Sequence, residues 1–142
     1  MTRIFLDASA LFAAALSATG GSRELIRLAY EGELDLVVSD VVLEEARRNL
    51  HAKAPAALPA FDAFVSTAPF TVVDATRTQV KAMARHTALK DAPIVAAAMR
   101  AQAGCLVSLD RQHLVGNTAL EQAAGLRILT PGDALQLFRQ SK

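Results

Sequence analysis

Short apolar runs alternate with longer helical patterns along this chain, and this alternation limits the possible folds more than any other feature of the sequence. Runs rich in Ile, Leu, Val and Phe predict five strands, over residues 3–6, 33–39, 70–73, 105–108 and 126–129. Strands that are separated by helices pair in parallel through right-handed crossovers. The sequence therefore predicts an α/β fold, a three-layer α/β/α sandwich around a five-stranded parallel sheet.

The helical segments follow from apolar spacing, capping residues and the prolines or glycines near their ends. They are predicted over residues 9–17, from residue 22 onward, and over 39–51, 53–67, 76–87, 91–103, 118–124 and 131–140. Ser39 is predicted to cap the third of these helices, and Gly125 to end the seventh. The stretch 54–64 contains Pro55 and Pro59 and is loose in composition, so we expect a mobile flap or a hairpin there.

The length and composition predict one folded domain. The chain has 142 residues and no repeat, linker or low-complexity stretch, so residues 1–142 are predicted to form a single domain. Hydrophobic residues make up 52%, and 29 of them are alanine, which favours helix over strand. Helices are therefore expected to outweigh the sheet, and disorder is not expected.

Charge, cysteine content and apolar run length exclude several classes of function. The net charge of +1 provides no global positive field, so a nucleic acid would have to bind a local patch. A single cysteine, Cys105, excludes an internal disulfide and a cysteine-based zinc site. The longest apolar run, residues 10–16, is far short of the roughly 20 residues of a membrane span. Asp7 interrupts the position of a signal-peptide core, so we expect a cytoplasmic protein.

Acidic residues fall where the predicted strands end. Asp7 directly follows the first strand, and Asp110 follows the fourth. Asp91 opens a helix whose following strand neighbours the first, and the helix after the second strand carries Glu44 and Glu45. Ligands of open parallel sheets bind beyond the carboxyl ends of the strands. These carboxylates are therefore expected to converge on one edge of the sheet.

Each of these carboxylates also has a purely structural interpretation. Asp7 or Ser9 could cap the first helix, and Asp91 could be an ordinary N-cap before a proline in the first turn. Asp110 could form a turn, and the two glutamates could lie on a solvated helix face. Several carboxylates in one cleft, however, repel each other unless a cation joins them. Such a cluster suits Mg²⁺ or Mn²⁺ and metal-assisted phosphodiester hydrolysis.

The helical wheel favours one of the two adjacent glutamates. Relative to the centre of the apolar face of their helix, Glu45 lies about 110° away and Glu44 about 150° away. Glu45 is therefore predicted to be the one that reaches the cleft.

Four segments of the sequence together resemble the acidic motifs of the PIN-domain nucleases. They read IFLDASALFAAAL, VVSDVVLEEARRNL, LKDAPIVAAAM and CLVSLDRQHL, and TPGDALQL resembles the closing helix of that family. The resemblance extends from residue 3 to about residue 138. It implies the strand order 3-2-1-4-5 and Mg²⁺- or Mn²⁺-dependent cleavage of RNA or DNA. Many small bacterial proteins of this kind are VapC-type ribonuclease toxins, which implies a possible antitoxin partner.

By motif, the resemblance assigns both the catalytic and the metal-binding roles to four residues: Asp7, Glu45, Asp91 and Asp110. Ser9 and Ser108 would support them. The sequence departs from the family pattern at two positions. Ser9 stands where the first motif often has Asn, and the neutral Gln112 stands where the last motif often has a second acidic residue. A one-metal resting state is therefore expected.

Basic residues adjoin each acidic motif. Arg47, Arg48, Lys90 and Arg111 are predicted to contact the phosphate backbone, although the two helical arginines could instead pair with nearby carboxylates. His113 could contact phosphate or be a surface turn residue.

The apolar first helices, residues 10–16 and 25–29, are expected to offer more apolar surface than one small sheet covers. This expectation predicts a homodimer. It also predicts that an antitoxin, if there is one, covers an apolar groove.

Three other classes of function compete with the nuclease. A catalytically inactive PIN-like module that binds RNA or protein is the main alternative, but the intact acidic residues argue against it. A phosphatase on a similar sheet requires Asp-x-Asp after the first strand, whereas this chain has Asp7-Ala8-Ser9. No spacing supports a Ser-His-Asp triad.

Overall fold

The computed structural model describes residues 1–141 and contains one five-stranded parallel sheet of order β3-β2-β1-β4-β5. Both the three-layer architecture and the strand order are as predicted. The strands are β1 (Thr2–Leu6), β2 (Leu34–Val38), β3 (Thr71–Val72), β4 (Cys105–Val107) and β5 (Arg127–Leu129). The helices are α1 (Ala8–Leu16), α2 (Gly21–Tyr30), α3 (Asp40–Lys53), α4 (Leu58–Thr67), α5 (Arg77–Met83), α6 (Ala92–Arg100), α7 (Thr118–Ala124) and α8 (Pro131–Gln140), with a 3₁₀ turn at Pro55–Ala57.

The first strand occupies the centre of the sheet. Ile4, Phe5 and Leu6 are at most 1% exposed although successive side chains of a strand point to opposite faces, so helices cover both faces of the sheet. Leu6 pairs with Val107 of β4. The ladder continues one residue further, because the backbone N–H of Asp7 donates to the carbonyl of Val107 at 3.1 Å. The chain segments that follow β1 and β4 therefore leave the sheet side by side.

Local signals fix several helix ends as the sequence predicts. The Ser39 hydroxyl accepts a hydrogen bond from the backbone N–H of Val42 at 3.2 Å and caps α3. Gly125 adopts a φ of +63° and ends α7, a conformation that glycine adopts without steric cost. The fifth and sixth helices are shorter than predicted, over 77–83 and 92–100.

The expected flap or hairpin over residues 54–64 is wrong. This segment consists of the 3₁₀ turn and the start of α4, where both prolines occupy N-terminal positions that need no backbone donor. Phe61 is fully buried and Phe64 is 5% exposed, with their ring centroids 5.5 Å apart. Burial of these two aromatic side chains holds the segment as a helix against the body of the protein.

The apolar residues of α1 and α2 are mostly buried within their own chain. Leu11, Leu25 and Ile26 are fully buried, and the large apolar side chains left exposed on these helices are Leu16 at 54% and Tyr30 at 48%. The excess of apolar surface that suggested a homodimer is therefore smaller than expected. The homodimer itself stays a prediction. Among residues 1–141, no helix combines the length and the apolar character that crossing a membrane requires.

Candidate metal centre and nuclease site

Asp7 lies at the carboxyl end of the central strand and caps α1. Its Oδ1 accepts hydrogen bonds from the backbone N–H of Ala10 at 2.9 Å and from the Ser9 hydroxyl at 2.7 Å. The residue is only 4% exposed. This burial is the main cause that raises the pKa of Asp7, and the carboxylate of Glu45 acts in the same direction. The hydroxyls of Ser108 and Ser9 offset the shift only in part. Asp7 is thus both a helix cap and a carboxylate whose charge the protein stabilises poorly.

Two serines connect the ends of β1 and β4. The Ser9 hydroxyl accepts from the backbone N–H of Leu109 at 2.9 Å and lies 3.4 Å from the hydroxyl oxygen of Ser108. Ser108 is fully buried, and its hydroxyl accepts from the backbone N–H of Asp110 at 3.0 Å. These contacts fix Asp7 and Asp110 relative to each other across two strands.

Asp91 precedes α6 but does not cap it. Although the residue occupies the N-cap position, its side chain makes no capping hydrogen bond. It is 5% exposed, and its buried Oδ2 has no hydrogen-bond partner among the described residues. Burial is the largest cause that raises the pKa of Asp91, and the Asp110 carboxylate raises it further, against the opposing charge of Lys90. An ordinary capping role therefore does not account for this side chain.

Asp110 forms the turn that the alternative interpretation predicted, but with only one of its oxygens. Oδ1 accepts from the backbone N–H groups of Gln112 at 3.0 Å and His113 at 3.1 Å. Burial opposes ionisation of this carboxyl, yet those two donors and the His113 ring hold the pKa of Asp110 below its usual range. Oδ2 is left to face the ring of His113, with Nδ1 at 3.3 Å.

These side chains surround a cleft of about 310 Å³. The cleft is lined by Asp7, Ser9, Glu45, Arg48, Asn49, Lys90, Asp91, Ile94, Asp110 and Leu114. The structure places Glu45 in this lining, whereas the side chain of Glu44 is 78% exposed and lies 3.7 Å from Arg48. All four carboxylates that the motifs single out are therefore brought together at the carboxyl edge of the sheet.

The basic residues divide into two groups. Arg48 and Lys90 line the acidic cleft, as a contact to substrate phosphate requires. Arg47 instead pairs with Asp62 of α4 at 2.6 Å and covers the ring of Phe61. Arg111 lies in a separate depression near the N-termini of α2 and α8. The structure thus does not bring Arg47 or Arg111 into the lining of this cleft.

Asn49 was not predicted from the sequence, and His113 was predicted only as a phosphate contact or a surface turn residue. Asn49 lines the cleft and lies four residues after Glu45, a spacing that places both on one face of α3. His113 joins Asp91 and Asp110 in a group whose candidate ligand atoms all lie within 4.8 Å of one another. A histidine three residues after a motif carboxylate is the signal that could have identified it.

The donor set fits a divalent cation. It consists of carboxylate oxygens and one imidazole. One oxygen of Asp91, the buried Oδ2, has no hydrogen-bond partner among residues 1–141. Asp7 and Glu45 add two further carboxylates at the rim of the same cleft. A bound cation would offset the repulsion and the desolvation that these groups experience.

An α/β/α sandwich with an acidic cleft at the carboxyl edge of its central strands defines a narrow class of proteins. The family model described as "PIN domain" matches residues 3–112. The chain belongs to the PIN-domain family.

Two crystal structures show the same fold. PAE2754 from Pyrobaculum aerophilum aligns with a TM-score of 0.65 and 21% identity, over 96% of this chain and 95% of the other. The sarcin-ricin loop cleaving toxin VapC20 from Mycobacterium tuberculosis aligns with a TM-score of 0.55 and 21% identity, over 77% of this chain and 91% of VapC20. Among curated protein sequences, no match is found. Identity at this level shows a shared fold.

Proposed function

We propose that this protein is a metal-dependent endoribonuclease that hydrolyses RNA phosphodiester bonds with Mg²⁺ or Mn²⁺. The observation that carries the proposal is the unpartnered, buried Oδ2 of Asp91 in a cleft that also holds Asp7 and Asp110. A protein that only folds around these groups would leave that oxygen unsatisfied, at a cost of roughly 1–3 kcal/mol. A catalytic cation gives the oxygen a partner.

In this proposal the residues of the cleft have distinct roles. Asp7, Asp91 and Asp110 hold the cation, and Glu45 completes the acidic set from α3. Ser9 and Ser108 fix the first and last of these carboxylates relative to each other. When bound, the cation activates water and neutralises charge on the phosphoryl group.

The phosphate group of the substrate needs positive charge at the rim of the cleft. Arg48 and Lys90 lie there, and Arg48 is exposed enough to reach a substrate. Arg111 lies outside the lining and would contact only a more distant phosphate. The preference for RNA over DNA draws on the similarity in fold to VapC20, a toxin that cleaves the sarcin-ricin loop.

Incubation with labelled RNA and with DNA of the same sequence tests this function. Cleavage of RNA is expected in Mn²⁺ or Mg²⁺, and EDTA is expected to abolish it. The Asp91→Asn variant, purified in parallel, controls for contaminating nucleases. Undiminished cleavage in EDTA, or equal cleavage by the variant, would rule out this mechanism.

The proposal extends to partners and to cellular context. As a VapC-like protein, the chain would act in the cytoplasm as the toxin of a toxin–antitoxin pair, with residues 1–142 forming one nuclease domain. A small adjacent gene whose product has a DNA-binding N-terminus and inhibits the nuclease would support the pairing.

The predicted homodimer is tested separately by light scattering at micromolar concentration. A mass near 15.1 kDa, that of one chain, would contradict the dimer. Twice that mass is the expected result.

A further inference from the structure

His113 is held beside the acidic cleft by its own backbone. The N–H of His113 donates to Asp110 Oδ1, and its carbonyl accepts from the Asn117 side chain at 3.0 Å. The backbone N–H of Val115 donates to the Asp110 carbonyl at 2.8 Å in the same turn. The imidazole therefore does not depend on its own hydrogen bond to stay near the carboxylates.

The distances around His113 match those between ligands of one ion. Two adjacent ligands with bonds of about 2.1 Å lie about 3 Å apart, and two opposite ligands about 4.2 Å apart. His113 Nδ1 lies 3.3 Å from Asp110 Oδ2. Candidate ligand atoms of His113, Asp91 and Asp110 all fall within 4.8 Å of one another. One cation can thus contact all three side chains once the longest of these separations shortens to about 4.2 Å.

An independent observation points to a ligand at the same place. Asp91 is only 5% exposed, and its Oδ2 lacks a hydrogen-bond partner among residues 1–141. Asp110 Oδ1 is already satisfied by two backbone donors, which leaves Oδ2 available. A cation that replaces the contact between Asp110 Oδ2 and His113 Nδ1 therefore has two carboxylates and one ring nitrogen to bind.

We propose that His113 is a direct nitrogen ligand of the metal, and that it gives this site a preference for first-row transition ions over Mg²⁺. The inference rests on the proposed function for the role of the ion, but it concerns metal binding alone. Imidazole binds transition ions well, whereas Mg²⁺ prefers oxygen ligands and keeps much of its water.

Mn²⁺ is the probe for this proposal because it is paramagnetic. Pulsed electron paramagnetic resonance of the full chain with Mn²⁺, without RNA, is expected to show coupling to ¹⁴N. The coupling should disappear in both His113→Gln and His113→Phe. It should persist in His51→Gln, the control, because His51 is exposed in the last turn of α3 and does not line the cleft.

Calorimetric titration with each ion separates ligation from positioning. Loss of a direct nitrogen ligand should weaken binding of Ni²⁺, an ion that imidazole suits, by about tenfold or more and change Mg²⁺ binding much less. If His113 only orients Asp110, its removal should weaken both ions alike, because the carboxylate serves both. Weaker Mn²⁺ binding by Asp91→Asn would place the ion in the cleft.

The outcomes distinguish this proposal from the proposed function. Absence of Mn²⁺ binding, absence of nitrogen coupling, or equal loss of both affinities overturns the assignment of His113. RNA cleavage that persists in that case leaves the nuclease function standing. Nitrogen coupling in a protein that cleaves no RNA would support His113 as a ligand and overturn the proposed function.

Discussion

The acidic cleft and the outer face of α2 both concentrate charged side chains, but only the α2 face compensates its charges internally. On α2, Arg27 contacts Glu24 and Glu31 at 2.6 Å each, and Arg139 lies 3.8 Å from Glu24. The hydrogen bond from Arg27 lowers the pKa of Glu24. These groups form a network on the exposed surface.

In the cleft, two buried carboxylates lack, in the part of the chain that the structure describes, the ion-pair partners that the charges on α2 have. Asp7 and Asp91 are buried, and within residues 1–141 neither has an ion-pair partner within 4.0 Å. The pKa of each is raised, chiefly by burial. Charges that the fold brings together without compensation indicate a place for a ligand, whereas a compensated network indicates a surface.

The largest expected effect is loss of RNA cleavage when an aspartate of the cleft is replaced. Asp7→Asn, Asp91→Asn and Asp110→Asn should each abolish RNA cleavage, because each removes a charge that holds the cation. For Asp7→Asn and Asp91→Asn the fold should stay intact or become more stable without metal, since asparagine at position 7 still caps α1 and repulsion is relieved. Asp110→Asn should lower stability slightly, because the turn donors and His113 hold the pKa of Asp110 below its usual range. Cleavage assays and thermal melts of the metal-free variants measure both effects. A clearly lower melting temperature for all three would favour structural roles instead.

A second comparison lies within one helix. Glu45→Gln should reduce cleavage much more than Glu44→Gln, because Glu45 lines the cleft and Glu44 points to solvent. The two variants differ by one position and remove the same charge, so each is the control of the other. Initial rates at saturating Mn²⁺ compare them. Equal and small losses of cleavage would indicate that both glutamates lie on a solvated helix face and that neither takes part in the site.

The pH dependence of stability should differ between a metal-free cleft and a neutralised one. Because the folded pKa of Asp7 lies above the ordinary 3.8, the folded state binds more protons than the unfolded state in the interval between the two values. Stability of the metal-free protein should therefore rise as pH falls from neutral through that interval. Denaturation of Asp7→Asn should show a weaker rise. If the free energy of unfolding of Asp7→Asn changed with pH as much as that of the unmodified protein, burial of the Asp7 charge would not destabilise the fold.

The smallest effect on stability and on cleavage is expected from a substitution on the exposed face of α2. Arg27→Gln should lower stability only slightly and leave cleavage unchanged, because exposed ion pairs contribute little. The variant also serves as a surface control for the cleft substitutions. A loss of cleavage comparable to that of Glu45→Gln would connect the α2 face to the site.

The fold was largely predictable because the hydrophobic periodicity of each segment agrees with the capping and turn residues at its ends. Alternation of apolar runs with helices predicted all five strands, and Ser39 and Gly125 end their segments as expected. The exception is the flap or hairpin expected over residues 54–64: the break near the prolines is present, but the segment is a 3₁₀ turn followed by the start of α4. The deciding contribution there is burial of Phe61 and Phe64 against other elements, and no local pattern contains it.

The site residues that directly follow a strand were predictable from the sequence. Residues on α3 were not, because their angular position around the helix determines whether they face the cleft. Arg47 adjoins the second motif, but it lies two residues after Glu45 and hence about 200° around α3. It therefore faces α4 rather than the cleft. Asn49 is four residues after Glu45 and faces the cleft, although no motif marks it.

The central position of the first strand also sets the order in which the site can assemble during synthesis. β1 leaves the ribosome first, yet one of its two neighbours, β4, begins only at Cys105. Asp7 and Asp110 come together only after that long-range pairing has formed. A growing or prematurely ended chain that stops before β4 therefore carries Asp7 and Asp91 without a complete cleft, and the proposed nuclease site cannot form until most of the chain has been made.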